Sequence, residues 1–389
     1  MVTRPGHAVA DLLPSLSEVL GDGLGDGLGD GLGDGLGDGR GALLPVAPDT
    51  APAAALRVGD PIDADIAVVA TTSGTTGTPK GAALTAAALQ ASATATHARL
   101  GGPGRWLLAL PAHHIAGIQV LVRSLLAGTA PVELDRSGGF HPDRLPGAIA
   151  ALGSGRRYAA LVAAQLAAAL TDPAATAALA DLDAVLLGGG PLPAPVHAAA
   201  ADAGITVVRS YGMSETAGGC VYDGVPLDGV RMRIDDDGRI RLGGATLARG
   251  YRNPPDPDPF AEAGWFVTDD LGAIDAAGVL RVLGRADEAI STGGLTVVPQ
   301  PVEAALGTHP AVADVAVFGV PDDRWGQRVV AAVVVADGHR APTLAALRGH
   351  VAQTLEVTAA PRELHLVSAL PRHGIGKVDR AALARRFGR

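Results

Sequence analysis

The sequence predicts an α/β fold: a large N-terminal domain with parallel sheets flanked by helices plus an antiparallel subdomain, and a small α+β C-terminal domain. Between residues 60 and 210, short β-branched or apolar runs alternate with Ala-rich, helix-compatible stretches, which is typical of a parallel sheet covered by helices on both faces. After Asp228, short alternating runs separated by turn residues indicate antiparallel strands. From Asp287 onward, two helical and three extended stretches predict a compact α+β unit.

Composition narrows the class of protein. The 389 residues are enough for two or three domains, and a hydrophobic fraction of 48% is ample for a large core. A formal net charge of −9 argues against nucleic acid or an anionic membrane as the main partner. The single cysteine, Cys220, excludes an internal disulfide framework, and neither a signal-peptide pattern nor a bilayer-spanning apolar run is found. We therefore predict a cytoplasmic protein with small-molecule partners, without nucleic acid binding or membrane insertion.

The N-terminal region combines one predicted helix with a four-residue repeat. Residues Val9–Leu20 are compatible with a short helix, and Gly-Asp-Gly-Leu then occurs four times between Gly21 and Leu36. The aspartates of the repeat suggest calcium, but a period of four matches neither the nine-residue calcium repeat nor the twelve-residue EF-hand loop. We predict instead that residues 21–40 are a flexible, solvated insertion.

Six apolar runs are the candidate strands of the parallel sheet. They are Ile66–Ala70, Trp106–Leu110, Ala130–Leu134, Tyr158–Val162, Val185–Leu187 and Ile205–Val208. Ligands of open α/β sheets bind beyond the carboxyl ends of the strands. The unusual loops of this chain fall at such ends, at residues 72–81, 111–114, 188–193 and 210–216.

The second half of the chain predicts shorter elements. The candidate strands of the antiparallel subdomain are Val230–Ile234, Asp235–Gly238 and Arg239–Leu242. The C-terminal unit should contain helices after Pro301 and near Leu344–Leu355, with strands near Val312–Val320, Arg328–Val335 and Glu363–Val367. The tail Pro371–Lys377 indicates an exposed loop that carries one lysine.

The segment Thr72–Gly81 predicts a polyphosphate-binding loop. Three glycines allow a tight turn that brings backbone N–H groups close to an anion, five Thr and Ser hydroxyls add donors, and Lys80 adds a positive charge. The segment is not a Walker A loop, because Pro79 precedes the lysine and a glycine follows it. The alternative is an ordinary polar loop between a strand and a helix.

Over roughly residues 60–380, the chain resembles the adenylate-forming acyl-CoA synthetase superfamily. Five motifs occur in the order of that superfamily: Thr72–Gly81, Tyr211–Thr216, Thr268–Asp270, Gly284–Glu288 and Pro371–Lys377. The resemblance implies an enzyme that activates a carboxylate with ATP and Mg²⁺ and then transfers the acyl group to coenzyme A. It also implies an N-terminal domain at residues 1–284, a hinge at 285–287 and a mobile C-terminal domain at 288–389.

The same resemblance implies an ATP site. Its phosphate-binding residues would be Thr72, Ser73, Gly74, Thr75, Thr76, Gly77 and Lys80. Glu215 would ligate Mg²⁺, a cation that prefers oxygen, and Thr216 would approach the α-phosphate. Tyr211 would stack on the adenine and Asp270 would bind the ribose hydroxyls, so that the adenosine-binding set is Gly189, Gly190, Tyr211, Gly212, Asp270 and Arg285.

Two residues of the last motifs complete the implied machinery. Lys377 would reach the carboxylate and the α-phosphate, and Asp287 would be the pivot of the hinge. Taken alone, Glu215 is a surface carboxylate, Asp270 a turn residue and Lys377 a solvated lysine, while Tyr211 could belong to the core. Their positions within the motif series favour the functional interpretation.

The region Leu110–Gly117 resembles the gate between the acyl site and the CoA tunnel, with His114 at the gate position. His113 and His114 could also be a metal pair, but zinc sites need three or four ligands and no third is suggested nearby. This region, Ser291–Val297 and the shortened N-terminal part are similar to the o-succinylbenzoate–CoA ligases of menaquinone biosynthesis.

The substrate of those ligases is a dicarboxylate, of which one carboxyl group reacts and the aromatic one stays charged. A charged spectator in a largely apolar pocket needs a partner. Arg123 is a candidate, and His114 and Gly212 are further candidates for substrate binding. The equally open alternative places Arg123 on the surface of a helix at Gly117–Leu126.

Some features depart from the superfamily pattern. Asp269 stands where glycine is usual, and Glu288 replaces a common aspartate or lysine. The shortened N-terminal region implies a smaller or more open acyl pocket, or a gap that a second copy of the chain covers in a homo-oligomer. The alternative functions are another aryl- or acyl-CoA ligase, an adenylation domain that loads a carrier protein, or a nucleotide-binding protein that has lost catalysis.

Overall fold

A computed structural model describes residues 2–5, 9–21, 41–47, 51, 54–72, 79–373 and 377–388. The predicted insertion at 21–40 lies outside the described residues except for Gly21, and so do the phosphate-loop residues 73–78. Within the described part, no helix is both long and apolar enough to cross a membrane. The chain divides into two compact units: residues 1–189, 199–233 and 241–267 form the first, and residues 190–198, 234–240 and 268–389 form the second. The predicted boundary at 284 and hinge at 285–287 stay predictions.

The described elements include ten α-helices and twenty-three strands. The helices are α1 (Val9–Leu20), α2 (Ala86–Arg99), α3 (Ile115–Leu126), α4 (Leu145–Ala151), α5 (Ala163–Ala169), α6 (Pro173–Ala180), α7 (Ala194–Asp202), α8 (Pro299–Leu306), α9 (Leu344–Val351) and α10 (Arg380–Phe387). The strands up to residue 226 are β1 (Val2–Pro5), β2 (Leu43–Val46), β3 (Ile66–Thr72), β4 (Lys80–Thr85), β5 (Arg105–Leu108), β6 (Val132–Glu133), β7 (Arg157–Val162), β8 (Ala184–Gly188), β9 (Val207–Met213), β10 (Gly218–Tyr222) and β11 (Val225–Pro226). The later strands are β12 (Val230–Ile234), β13 (Arg239–Gly244), β14 (Gly250–Tyr251), β15 (Trp265–Ile274), β16 (Leu280–Arg285), β17 (Ile290–Thr292), β18 (Leu295–Val297), β19 (Val312–Asp322), β20 (Gly326–Val335), β21 (Glu363–Leu366), β22 (Arg372–His373) and β23 (Lys377–Val378).

The first unit contains two sheets. The larger has seven strands in the order β11-β10-β9-β8-β7-β5-β6, and its pairs from β6 to β9 are parallel. The second has the order β1-β2-β3-β4-β14. Consecutive β-branched and apolar residues of the parallel strands are buried. The side chains of Trp106 and Tyr158 on these strands are fully buried as well. The predicted α/β fold with parallel sheets is confirmed.

The phosphate loop connects two strands rather than a strand and a helix. Strand β4 pairs antiparallel with β3, with Thr72 opposite Lys80. The reason is the small apolar run after Lys80: a Cβ added to Gly81 would lie 2.6 Å from Val69, so only glycine lets the strands approach this closely. Helix α2 starts later, where the Thr85 hydroxyl accepts a hydrogen bond from the Ala88 N–H.

Two smaller predictions are wrong. Residues Asp235–Gly238 form a turn, closed by a hydrogen bond from the Gly238 N–H to the Asp235 carbonyl (2.9 Å), because Gly238 adopts a φ of 80°. The tail contains a two-stranded β-hairpin of β22 and β23, in which His373 pairs with Lys377, instead of a loop throughout.

The C-terminal α+β unit is confirmed. Its sheet has the order β18-β17-β20-β19, and a fifth strand, β21, pairs parallel with β20. Successive residues of a strand face opposite sides, so β19 and β20 serve two cores. Val317 and Val329 pack with α8 and α9, whereas Phe318 and Val330 pack with Leu383 of α10.

Candidate active site

A tight turn after β9 presents Glu215. Residues Ser214–Thr216 form a single 3₁₀ turn. The Thr216 hydroxyl accepts a hydrogen bond from the Met213 N–H (3.0 Å) and donates one to the Gly218 carbonyl (2.7 Å). Thr216 is fully buried, so its hydroxyl braces the turn. Its contact with an α-phosphate stays a prediction.

Tyr251 brings Glu215 and Lys80 together. The Tyr251 hydroxyl lies 2.5 Å from the Glu215 carboxylate and donates to it, and the Lys80 ammonium lies 5.2 Å from the centroid of the Tyr251 ring. Strand β14 carries the tyrosine and pairs with β4, which carries the lysine. The predicted Mg²⁺ ligand and the predicted phosphate-binding lysine therefore meet at one aromatic ring.

The sequence prediction missed Tyr251. The residue lies 36 positions after Glu215, and the antiparallel pairing of β14 with β4 that brings it to Lys80 has no local signal. The small number of tyrosines could have drawn attention to Tyr251, because the chain has only four and this one follows a glycine in a turn-rich region.

Asn253 anchors the end of the phosphate loop. Its side-chain amide donates to the Pro79 carbonyl (2.9 Å), and its side-chain oxygen accepts from the Gly81 N–H (3.1 Å). The Arg252 N–H also donates to the Gly81 carbonyl (2.7 Å). These bonds hold Lys80 between two fixed backbone positions. Ser73, Gly74, Thr75, Thr76 and Gly77 lie outside the described residues.

The donor chemistry at Glu215 fits Mg²⁺. This hard cation takes oxygen ligands and is commonly held by one or two carboxylates together with substrate phosphates and water. Glu215 is 6% exposed and its carboxylate is oriented by Tyr251. Across the described residues, no group of three or more His, Cys, Asp or Glu side chains could hold a metal by itself. Glu215 would therefore hold the ion jointly with the ATP phosphates.

The candidate adenine site lies where β8 and β9 end. The two strands are parallel, with Leu187 paired to Arg209, and a Cβ added to Gly188 would lie 3.6 Å from the carbonyl oxygen of Ser210, the residue before Tyr211. Tyr211 is half-buried. A Cβ added to Gly212 would lie 2.2 Å from the Gly218 carbonyl oxygen, which explains the glycine. Gly190 belongs to the second unit.

In the second unit, Arg285 is surrounded by three aspartates. Strands β15 and β16 pair Asp270 with Arg285, whose Nη1 lies 3.6 Å from the Asp270 carboxylate. Arg285 also binds both oxygens of Asp287 at 2.8 Å and one of Asp269 at 3.3 Å. Burial lowers the pKa of Arg285, but the hydrogen bond and charge of Asp287 and then the other carboxylates outweigh burial and raise it. Asp270, the predicted ribose-binding residue, and Asp287, the predicted hinge residue, thus contact the same guanidinium.

His114 precedes the first residue of α3 and its side chain does not cap the helix. The side chain is exposed, and its ring centroid lies 4.4 Å from that of His113. Although the residue keeps exposed surface, partial burial of the ring, followed by the positive charge of Arg136, lowers the pKa of His114. The gate function of His114 stays a prediction.

Arg123 is buried, so its placement on the helix surface is wrong. It is 2% exposed, and its guanidinium lies 4.9 Å from the centroid of the Trp106 ring. Its Nη2 donates to the Tyr222 hydroxyl at 3.4 Å, and its Nε has no hydrogen-bond partner among the described residues. Burial lowers the pKa of this guanidinium.

Lys377 begins β23, and its partner in the hairpin is His373 of β22. The Lys377 side chain lies outside the described part of the structure. Its catalytic function stays a prediction.

Buried His97 should make the free energy of unfolding depend on pH. The Trp106 indole N–H donates to His97 Nε2 at 3.3 Å, which requires a neutral ring. Burial, and secondarily the charge of Arg123, lower the pKa of His97 to about 4. The unfolded chain takes up this proton near pH 6.5 and the folded chain only near pH 4, so stability should fall as pH drops through this window, by about 2–3 kcal/mol at pH 4.5.

Urea unfolding at pH 7 and pH 4.5 measures this loss. His97→Gln keeps an acceptor for the indole and cannot be protonated. Its unfolding free energy should change less between the two pH values, and an unchanged pH dependence would contradict the assignment.

A family model described as "AMP-binding enzyme" matches residues 39–252, and one described as "AMP-binding enzyme C-terminal domain" matches residues 301–377. A "Probable 2-succinylbenzoate–CoA ligase" from Mycobacterium tuberculosis is 68% identical over 384 residues, which cover 98% of this chain and 96% of that protein.

Solved structures point the same way. The o-succinylbenzoate CoA synthetase of Bacillus subtilis, in complex with the acyl-adenylate intermediate OSB-AMP, is 30% identical with a TM-score of 0.71, over 82% of this chain and 69% of that one. The same enzyme in complex with ATP and a magnesium ion is 29% identical with a TM-score of 0.70, over 82% of this chain and 70% of that one.

Proposed function

The chain belongs to the AMP-binding enzyme family, and we propose that it is an ATP- and CoA-dependent ligase that converts 2-succinylbenzoate to 2-succinylbenzoyl-CoA in menaquinone biosynthesis. The cofactors are ATP and Mg²⁺, with CoA as co-substrate. Identity of 68% over nearly the whole length of a relative with that name supports the substrate, and the B. subtilis complexes with OSB-AMP and with ATP and magnesium support the chemistry.

The observation that carries the substrate assignment is Arg123. A buried guanidinium without a carboxylate partner is costly, because desolvation penalises the charged form. No described ion pair neutralises Arg123, although the Trp106 ring and the Tyr222 hydroxyl contact it. The aromatic carboxylate of 2-succinylbenzoate would supply the missing charge, whereas a monocarboxylic acid, once activated, would not.

Adenylation depends mainly on charge neutralisation and positioning. The succinyl carboxylate oxygen attacks the α-phosphorus of ATP, and the bond to pyrophosphate breaks. Lys80 would neutralise the departing phosphates, and Mg²⁺, when bound, would add further positive charge. Tyr251 would hold the Glu215 carboxylate in place, and Asp270 would bind the ribose.

Thioester formation uses the same site with different requirements. The CoA thiolate attacks the acyl carbonyl and AMP leaves, so the space near the α-phosphate must open for the thiol. Lys377 would supply a positive charge during the first step and leave before the second. Rotation of the C-terminal domain about Asp287 would accomplish this exchange.

Asp287→Pro is expected to slow the CoA step and spare adenylation. Proline fixes φ near −65°, which suits the 3₁₀ turn at Ala286–Glu288 but prevents a second backbone conformation. Single-turnover rates of pyrophosphate release and of thioester formation measure the two steps. Asp287→Ala is the matched control, because it also removes the Arg285 ion pair but leaves φ free. Equal slowing of the CoA step in both variants would exclude a pivot at Asp287.

Pyrophosphate release over a panel of carboxylic acids, with and without CoA, tests the proposed function. We expect ATP-dependent release with 2-succinylbenzoate and little with simple benzoates or fatty acids. Preference for another acid would indicate a different acyl-CoA ligase. Release that needs no acid would indicate hydrolysis, and no release with any acid would indicate a nucleotide-binding protein.

We also propose a cytoplasmic location and small molecules as the substrates. Cys220 is fully buried, and burial raises the pKa of its thiol to about 12, so the single thiol stays protonated; a chain with one cysteine also has no internal disulfide that would need an oxidising compartment. A homo-oligomer is the alternative to a monomer, and light scattering distinguishes them.

A further inference from the structure

Arg123 is held from one side by a directed chain of hydrogen bonds. Arg123 Nη2 donates to the Tyr222 hydroxyl (3.4 Å), and that hydroxyl lies 2.9 Å from the Thr96 hydroxyl. The Thr96 hydroxyl in turn donates to the Ser92 carbonyl (2.8 Å). A guanidinium can only donate, so Tyr222 accepts from Arg123 and gives its own proton to Thr96. In this series of three hydrogen bonds, Arg123 Nη2, the Tyr222 hydroxyl and the Thr96 hydroxyl each donate to one acceptor.

A second contact orients Arg123 from its face. The guanidinium stacks 4.9 Å from the centroid of Trp106, and the indole N–H is fixed by its hydrogen bond to His97 Nε2. The ring of Trp106 also packs against Tyr158, with centroids 5.0 Å apart. A cation over an indole face is stabilised without being neutralised.

These two contacts leave the Nε–H group of Arg123 without a hydrogen-bond acceptor among the described residues. The Arg123 Nε has no hydrogen-bond partner among the described residues, and neither has the hydroxyl of Ser92, one turn before Thr96 on α2. Both groups are buried and both can donate. Unsatisfied buried donors carry a large cost, which an anionic acceptor would remove.

We propose that Tyr222 is a positioning residue for substrate selection: together with Trp106 it fixes the Arg123 guanidinium so that its Nε edge receives the spectator carboxylate of the substrate. This inference rests on the proposed function. Tyr222 does not touch the reacting atoms. It acts through Arg123, so its removal changes the affinity for the dicarboxylate and leaves the chemistry alone.

Tyr222→Phe tests the proposal, because it keeps the ring and removes only the hydroxyl. We expect KM for 2-succinylbenzoate to rise about five- to tenfold, the scale of losing one ordinary hydrogen bond, because the bond from Arg123 to the Tyr222 hydroxyl is long (3.4 Å); kcat and KM for ATP should not change. The affinity of 4-oxo-4-phenylbutanoate, which has the same succinyl chain without the ring carboxylate, should not change, whether it is measured as substrate or as competitive inhibitor.

Two further variants control for folding and packing. Tyr158→Phe also deletes a buried tyrosine hydroxyl beside Trp106, but that hydroxyl binds the Leu100 and Gly102 carbonyls and not Arg123. It should leave both acids unaffected. Thr96→Val breaks the next link of the chain with nearly the same volume, and should raise KM for the dicarboxylate by a smaller factor in the same direction.

The outcomes separate this inference from the proposed function. If Arg123→Met loses the dicarboxylate selectively while Tyr222→Phe and Thr96→Val do not, the function stands and the positioning role is wrong. Equal losses for the two acids in Tyr222→Phe also overturn the positioning role. If the unmodified enzyme does not adenylate 2-succinylbenzoate, both proposals fail.

Discussion

Lys377→Ala is expected to slow adenylation by about 10²–10³-fold while thioester formation from supplied acyl-adenylate and CoA persists. The ammonium would stabilise negative charge that develops only while the carboxylate attacks the α-phosphorus, so its loss raises one barrier, on the scale of removing one preorganised electrostatic donor. The measurement is a pair of single-turnover rates: pyrophosphate release from ATP and 2-succinylbenzoate, and thioester formation from the isolated adenylate.

The use of lysine in this chain supports a special function for both lysines. Of the 31 lysine and arginine residues in the sequence, only two are lysines, Lys80 and Lys377. Both lie in the motifs that would bind the phosphates of ATP. Everywhere else the chain uses arginine. An ammonium is a compact point charge on a flexible stem, whereas a guanidinium is a planar fork. An ammonium group therefore suits a positive charge that has to enter and leave a crowded site.

Arg372→Ala is the matched control for Lys377→Ala. It removes one positive charge from the same β-hairpin, where Arg372 forms an ion pair with Asp314 at 2.6 Å. The Arg372 side chain is exposed, so we expect both half-reactions to remain within about twofold of the original rates. Equal slowing of both half-reactions by Lys377→Ala would contradict a lysine that acts in the first step alone.

Arg123→Ala is expected to weaken binding of 2-succinylbenzoate by about 2–4 kcal/mol, or roughly 30- to 1000-fold in KM. The spectator carboxylate would lose its ionic partner at a buried position. Monocarboxylic aryl acids should be affected much less. KM values for both classes of acid, from pyrophosphate release, measure the difference, and equal effects would remove Arg123 from the substrate site.

Arg123→Met separates charge from packing. Methionine fills similar volume, whereas alanine leaves a cavity beside Trp106. Removing a buried charge that has no ion-pair partner often leaves a protein equally or more stable. We expect Arg123→Met to melt at or above the temperature of the unmodified enzyme and still to lose the dicarboxylate, which a folding defect would not produce.

The alternation of apolar runs was enough to predict the parallel sheet, because strands buried on both faces have a simple pattern. The same burial hid Arg123. Residues 117–125 of α3 are buried all the way round the helix, so no polar face marks which side meets solvent. Sequence reasoning therefore left a surface arginine and a pocket arginine equally open. Packing excludes the surface position, and the function of Arg123 in the substrate pocket stays a proposal.

Sequence reasoning located Glu215 and Lys80 within motifs but not what connects them. Tyr251 reaches them through the pairing of a two-residue strand with β4, which depends on the whole sheet. Asp269 was noted as a departure, but its contacts with Arg239 at 2.9 Å and Arg285 at 3.3 Å depend on the pairing of distant strands. Long-range register of this kind has no local periodicity to detect.

A competition experiment tests the central claim most directly. The enzyme is incubated with ATP, Mg²⁺, CoA and an equimolar mixture of 2-succinylbenzoate, 4-oxo-4-phenylbutanoate, benzoate and a medium-chain fatty acid, and the CoA thioesters are quantified by mass spectrometry. The account predicts 2-succinylbenzoyl-CoA as the dominant product, and its loss when ATP is omitted. A different dominant thioester, or no thioester with any acid, would contradict it.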